Sequence, residues 1–578
     1  MNGRYETVRK LCGGAPPLQC LHDIGTLNDQ MGYNCIGVAY VKDDWTGVDV
    51  WCIGVNPLSD GKTDVQVEED VRNTMERCTG DPVLKNSCNS TVADGAAQGV
   101  ARKAGFEEDP CDLHQHDKIG KSCVGDLVRT VKKQVVNPFP DAQDILKKAG
   151  KILNIMRFRS RQKYLWEWCA KLGIKKLCYV NFNTTRFTSR HSMMYRFLML
   201  SAPLTHLLAD PPQKECFDSA PEFTELADYC PLRHMEGVLC IVRIFTTMSQ
   251  CEKYIVRGIR PVCKVMLMNT LRADTILVLK KDMLAKGKAE RMQCPVEQLC
   301  DVGKQCLRRA IIEAEHRVCT NDTRKGSEGE PTGTPVVWSD TDVIAFFCDP
   351  LLLMNGKLHV GFSSRIQNGE FSETFYNKAH VPMWEQHHGA IDGGGTDDEG
   401  EGEGEGESAF EVNFGMLEDD ERAVERKDLC RGEFVSQFKA WCALSKEVVA
   451  ALEKVTLNPR VAQPVDPEDD HDDEPIDVTM VEATLWRLIK FDISPYMLRA
   501  ERDERTHGLF PKIARVHLCR LMSESFCERV ISYGGNVSSK VNTTADHEHT
   551  GNRVVCHMNR KHKGDISGLP TPVPYVPT

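Results

Sequence analysis

The sequence predicts a mixed α/β protein: a mixed sheet with flanking helices, interrupted by a large, mainly α-helical insertion. Three observations predict it. Two short β-branched runs, Asn34–Val41 (NCIGVAYV) and Val48–Val55 (VDVWCIGV), flank a polar turn containing Lys42, Asp43 and Asp44, which is a hairpin signature. Helical spacing follows at once, with Val67, Val71, Met75 and Cys78 along Asp64–Cys78. Two long later stretches, 141–208 and 215–320, are mostly helical in pattern, as in the stripe Met235, Val238, Leu239, Val242 and Phe245.

The remaining elements follow in chain order. A first strand candidate contains Leu21-His22-Asp23-Ile24-Gly25-Thr26, ahead of the hairpin. Cys88–Ala93 is a weaker strand that ends at Asp94-Gly95, and His116–Val131 is helical. Pro203, Pro211 and Pro212 punctuate the end of the first helical stretch. Residues 322–340 are rich in Gly, Ser, Thr and Pro and read as a loop. Residues 389–408 are a Gly-Glu tract that cannot bury enough apolar surface to fold. Val478–Ile489 reads as a helix, with Val481, Leu485, Leu488 and Ile489 as its apolar stripe. Phe510–Met522 is another helix, opened by Pro511. Gly534-Gly535 marks a turn, and Asn552–Asn559 closes the fold.

Composition narrows the class. With 578 residues, 41% hydrophobic and 27% charged, the chain can bury a sizeable core. No window approaches eighteen apolar residues, so no transmembrane helix is expected. The first thirty residues lack the apolar run of a secretory signal. The 25 cysteines are scattered, often in apolar stretches such as Val238–Val242, and read mostly as reduced, buried thiols. The net charge of -11 is concentrated: Asp397–Glu407 and Asp466–Glu474 carry seven acids each, which leaves +3 on the rest. That balance permits nucleic acid as a partner without requiring it. The tracts read as solvated linkers or, alternatively, as a segment for histones or another basic partner.

Three acids could carry chemistry: Asp23 and Asp94 at strand ends, and Glu482 at the edge of a helix's apolar stripe. Convergent carboxylates supply hard oxygen ligands for two divalent ions about 3.5–4 Å apart, which phosphoryl transfer on DNA uses. Cys111-Asp112-Leu113-His114 invites a zinc reading, but zinc normally takes two ligand pairs and Cys294 and Cys300 stand isolated. The favoured reading is that Cys111 and His114 pack and orient a helix.

At these blocks the sequence resembles the hAT family of cut-and-paste DNA transposases. Val92-Ala93-Asp94-Gly95-Ala96 resembles the family's second catalytic block, with Gly95 where Asn is usual, and Cys111-x-x-His114 follows it at the family's spacing. Thr185-Arg186-Phe187-Thr188-Ser189-Arg190 resembles its Thr-Arg-Trp-Asn-Ser block, Phe187 replacing Trp. Glu482 with Trp486 fits the third acid and its aromatic. Ser525-Phe526-Cys527-Glu528-Arg529-Val530-Ile531-Ser532 resembles the C-terminal signature.

The resemblance implies an RNase H-like core, with Asp23, Asp94 and Glu482 holding two Mg²⁺ or Mn²⁺ ions. It implies DNA contacts from Arg186, Phe187 and Arg190, and dimerisation through Phe526, Glu528, Arg529, Val530 and Ile531. DNA at transposon ends and a second copy of the chain would be the partners, in the nucleus and away from membranes. The expected boundaries are core 1–205, insertion 206–388, acidic linker 389–410, insertion continued 411–460, acidic linker 461–475 and core 476–578. The family's N-terminal BED zinc finger is not found. The alternative is a catalytically inactive descendant that acts through dimerisation and DNA or chromatin binding.

Overall fold

Five strands make one sheet: β1 (Leu18–Thr26), β2 (Gly32–Val41), β3 (Val48–Leu58), β4 (Cys88–Ala93) and β5 (Glu107–Pro110). Their order is β3-β2-β1-β4-β5. β1 runs antiparallel to β2, and β2 to β3, as the hairpin reading expects; β4 is parallel to both β1 and β5. The computed structural model describes residues 2–27, 32–58, 64–93, 107–127, 130–131, 134–135, 138–156, 158–177, 187–209, 229–319, 331–359, 363–388, 415–453, 478–537 and 547–560. The class is mixed α/β, and helices dominate outside this sheet.

Both faces of the sheet are covered. Nine of the ten residues of β2 are buried, so the polar alternation of a half-exposed strand is absent. The even-numbered face carries Asn34 and Asn56, whose amides each donate to Asp70 at 2.7 Å. Asp70 lies on the helix Asp64–Thr79, which buries Val67, Val71 and Met75 as their spacing predicts. The odd-numbered face meets the helix Ser525–Val537, where Ile531 rests on Gly25 and Phe526 on Gly37. Any Cβ at position 25 would overlap the Ile531 side chain, so this helix can lie against β1 only over a glycine.

The strand hairpin is held from the C-terminal part of the chain. Arg515, 1% exposed, donates to the carbonyls of Lys42 at 2.9 Å and Asp43 at 2.7 Å. It also pairs with Glu501 and lies over the Trp45 ring at 4.4 Å. Trp45 has φ of 60°, an uncommon backbone for a bulky residue, and this clamp offsets its cost.

A buried charge network joins the sheet to the helical region. Arg260, on the helix Arg260–Leu271, donates to both oxygens of Asp112 at 2.7 Å and to Asp342 at 3.3 Å. Lys264 reaches Asp342 at 2.6 Å, and Arg257 stands 3.8 Å away. Burial by itself would raise the Asp342 carboxyl. The charges of Lys264, Arg260 and Arg257 outweigh it and hold the group well below the carboxylate range.

Four expectations are corrected. The helix expected at 116–131 is Asp112–Cys123; it starts earlier because Cys111 caps it, its sulfur accepting from the His114 amide at 3.4 Å. Gly534-Gly535 is no turn but lies inside Ser525–Val537, where a small residue lets the helix approach Leu27. The helix expected at 510–522 ends at Leu518, and Leu521 instead bonds to Gln19 of β1. The region 215–320 also holds a hairpin, Thr275–Leu279 with Arg291–Pro295, packed on Cys230–Ser249. The tract 389–408 lies outside the described residues. Among the described residues no helix is long and apolar enough to cross a membrane.

Asp342→Asn should lower unfolding stability by about 3–5 kcal/mol, because it removes the buried counter-charge that Lys264, Arg260 and Arg257 share. Urea denaturation at neutral pH checks this. The depressed carboxyl contributes stability above the ordinary Asp pKa of 3.8 and loses it on acidification, so the wild-type advantage should shrink toward low pH. An unchanged midpoint would remove the network from the account of the fold.

Candidate active site

Asp23 is placed by strand register. It pairs with Cys35 and shares its face with Gln19, Leu21 and Gly25. Gln19 is fixed on that face, accepting from the Leu521 amide at 2.6 Å. Asp23 is half-buried near the rim of the helix Ser525–Val537. Burial pushes the thiol of Cys527, on this helix, up to about 11; a hydrogen bond with Cys35 opposes the shift and the charge of Asp23 adds to it.

Glu482 lies on the helix Val478–Lys490, where Val481, Leu485, Leu488 and Ile489 are buried as expected. Its carboxylate is half-buried and stands 4.0 Å from the Arg243 guanidinium. It opens on a cavity of about 520 Å³ lined also by His191, Tyr195, Arg196, Arg243 and Arg291. A second cavity, of about 820 Å³, is lined by Trp486 and Lys490 of the same helix and by Glu528 and Arg529. Glu482 and Asp23 are held by different elements, and the second cavity is bounded by the helix of Glu482 and by Ser525–Val537, the helix packed on the strand of Asp23.

One wall of the first cavity is a buried ion triad. Glu236, fully buried, accepts from Arg291 at 2.7 and 3.0 Å and meets His191 Nε2 at 3.0 Å. Burial would raise the Glu236 carboxyl, but His191 and Arg291 hold it at about 2. This set escaped the sequence reading because its members come from three separated helical or strand segments. Only a charged residue inside an apolar helical stripe, Glu236 beside Met235 and Val238, could have signalled it.

Asp94 and Arg186 lie outside the described residues. Phe187 begins the helix Phe187–Met199. Arg190 is buried and paired with Asp126, which corrects its expected role: its charge is spent inside the protein, not on DNA phosphate. Cys111 caps the helix Asp112–Cys123 by accepting from the backbone amide of His114, and neither residue belongs to a described metal-ligand cluster. Burial keeps the Cys111 thiol well above its ordinary value. The dimerisation expectation is corrected for Phe526 and Val530, which are buried, and for Ile531, which packs on Gly25. Their apolar surface already serves the chain's own sheet. Glu528 and the exposed Arg529 stay at the surface, Arg529 paired with Glu252.

Two described clusters hold soft ligands. His191, Glu236 and Cys240 form one, committed to Arg291. Cys230, His234 and Cys300 form the other, so Cys300 is not isolated in space as it is in sequence.

Glu236→Gln should cost about 3–5 kcal/mol at neutral pH by leaving Arg291 without its buried counter-charge. The wild-type carboxyl is depressed, so its contribution exists above about 4.5 and fades as pH falls to about 2. The variant's stability should be flatter over that acid range. Identical acid limbs for the two proteins would contradict the triad's electrostatics.

No family model matches the chain, and no curated protein matches it.

Proposed function

We propose that the chain is of transposase descent and cleaves and joins DNA by metal-dependent phosphoryl transfer on an RNase H-like core. The observation that carries this reading is the sheet. Three antiparallel strands followed by two parallel ones, in the order β3-β2-β1-β4-β5, is the arrangement such a core requires. β1 and β4 are parallel neighbours, with Leu21 paired to Val92. Asp23 and Asp94 each stand two residues further along the sequence from that pair.

The third acid fits the same scheme. Glu482 follows a long helical region and lies at the edge of a buried helix face, its carboxylate open to a cavity. Asp23, Asp94 and Glu482 would hold Mg²⁺ or Mn²⁺, since carboxylate oxygens suit hard cations. The metal would supply activation of a water or 3′-hydroxyl and neutralise the leaving oxygen. Arg243, beside Glu482, offers a planar fork of donors that matches backbone phosphate. DNA is the partner on this reading, and the nucleus its place of work.

Purified protein with Mn²⁺ should nick DNA ending in the inverted repeats that flank its gene. Asp23→Asn and Glu482→Gln should each cut the rate by more than about 100-fold, beyond what loss of a group merely supporting a ligand costs. Both variants should keep the wild-type unfolding midpoint within about 1 kcal/mol, since both carboxylates are half-exposed. Nicking by either variant at the wild-type rate would overturn the assignment.

A further inference from the structure

The soft-ligand cluster lies at the other end of the helix that carries Arg243. Cys230 is the first residue of Cys230–Ser249, and His234 lies one turn on. Cys300 caps the helix Asp301–Ala314, its sulfur accepting from the Gly303 amide at 3.4 Å. The ligand atoms of the three residues lie within 4.8 Å of one another. Cys230 Sγ is 3.7 Å from either ring nitrogen of His234. In a tetrahedral zinc site, with Zn–S of about 2.3 Å and Zn–N of about 2.0 Å, sulfur and nitrogen stand roughly 3.6 Å apart. The Cys230–His234 pair already stands close to that spacing.

Cys294, on the strand Arg291–Pro295, stands outside this group of three, its thiol donating to the Pro295 carbonyl at 3.7 Å, and would turn toward the group to supply a fourth donor. We propose that Cys230, His234, Cys294 and Cys300 form a structural zinc site that ties two helix N-termini to the Thr275–Leu279/Arg291–Pro295 hairpin.

Burial raises the Cys230 and Cys294 thiols, and the charge of Arg233 opposes it; the Gly303 amide, at the N-terminus of Asp301–Ala314, donates to Cys300 Sγ. Arg233 is itself fixed by donating to the Leu279 carbonyl at 2.6 Å. His234 Nδ1 now accepts from the Cys300 amide at 3.0 Å. Zinc on Nδ1 takes that lone pair and the proton stays on Nε2. The three thiols release their protons to solvent as they bind, so affinity falls at low pH. A Cβ at Gly303 would sit 2.7 Å from His234 Cβ, which shows how closely the second helix is pressed on the ring. Sulfur and imidazole donors select zinc over Mg²⁺ or Mn²⁺, so this site is separate from the proposed carboxylate centre and does not depend on it.

Full-length protein, purified with reductant and zinc and then gel-filtered, should carry one zinc per chain by elemental analysis. Replacing the zinc with Co²⁺ should give the visible bands of a tetrahedral ion and sulfur-to-cobalt charge transfer in the near ultraviolet. Cys294→Ser should lower that charge transfer by about one third, as three thiolates become two. The Cys230→Ser/Cys300→Ser double variant should lose the metal, whereas Cys240→Ser, in the other cluster, should keep it. The wild-type cobalt spectrum decides the matter even if the double variant does not fold. Only trace zinc in the wild type after reconstitution, an octahedral cobalt spectrum, or full zinc in a folded double variant would overturn the proposal.

Discussion

Arg260, closed between Asp112 and Asp342, is the joint on which the two parts of the structure depend. Its carboxylate partners lie 148 and 82 residues away in the chain. One belongs to the helix that follows β5, the other to the helix Asp340–Cys348, which Ser339 and Asp342 open with a capping box. A guanidinium buried this deeply is tolerable only where its hydrogen bonds are satisfied, and here both carboxylates and the Pro110 carbonyl supply them. The helical region is thereby positioned against the sheet by directional contacts as well as by apolar packing. The Asp112 amide extends the joint by donating to the Met522 carbonyl at 2.9 Å, which brings in the C-terminal segment.

That C-terminal segment completes the sheet rather than decorating it. Leu521 exchanges hydrogen bonds with Gln19, and Phe526, Val530 and Ile531 fill the odd-numbered face of β1 and β2. The same face carries Asp23. A side chain buried under its own sheet has no surface left to offer a second chain. The position of Asp23 is thus tied to a helix some 500 residues later in the chain, and anything that loosens the helix disturbs the carboxylate.

Helix Cys230–Ser249 connects the chemistry of the helical region. Cys230 and His234 stand at its start, Glu236 and Cys240 toward its middle, and Arg243 near the cavity that holds Glu482. His234 and Arg243 are nine residues apart, about 13 Å along the axis. A fixed N-terminus therefore sets where the cavity wall stands. Core cysteines elsewhere also meet one another, as Cys35 meets Cys527, so what sets the Cys230 group apart is two thiols gathered around one imidazole.

What the sequence by itself determined is what depends on near neighbours. Short β-branched runs and turn chemistry located the β2–β3 hairpin, and period-3.6 stripes located the helices at 64–79 and 478–490, including the half-exposed edge on which Glu482 lies. Local pattern also singled out Cys111 as a residue that orients a helix. Tertiary structure decided the rest, because the deciding contacts join distant segments. Whether Arg190 met solvent or Asp126 was not written in its neighbours, and neither was the sheet that claims the apolar face of Ser525–Val537. Cys230 and Cys300 are seventy residues apart, with no paired spacing to signal a metal; only the packing of two helix starts against one hairpin brings their sulfurs to the same imidazole.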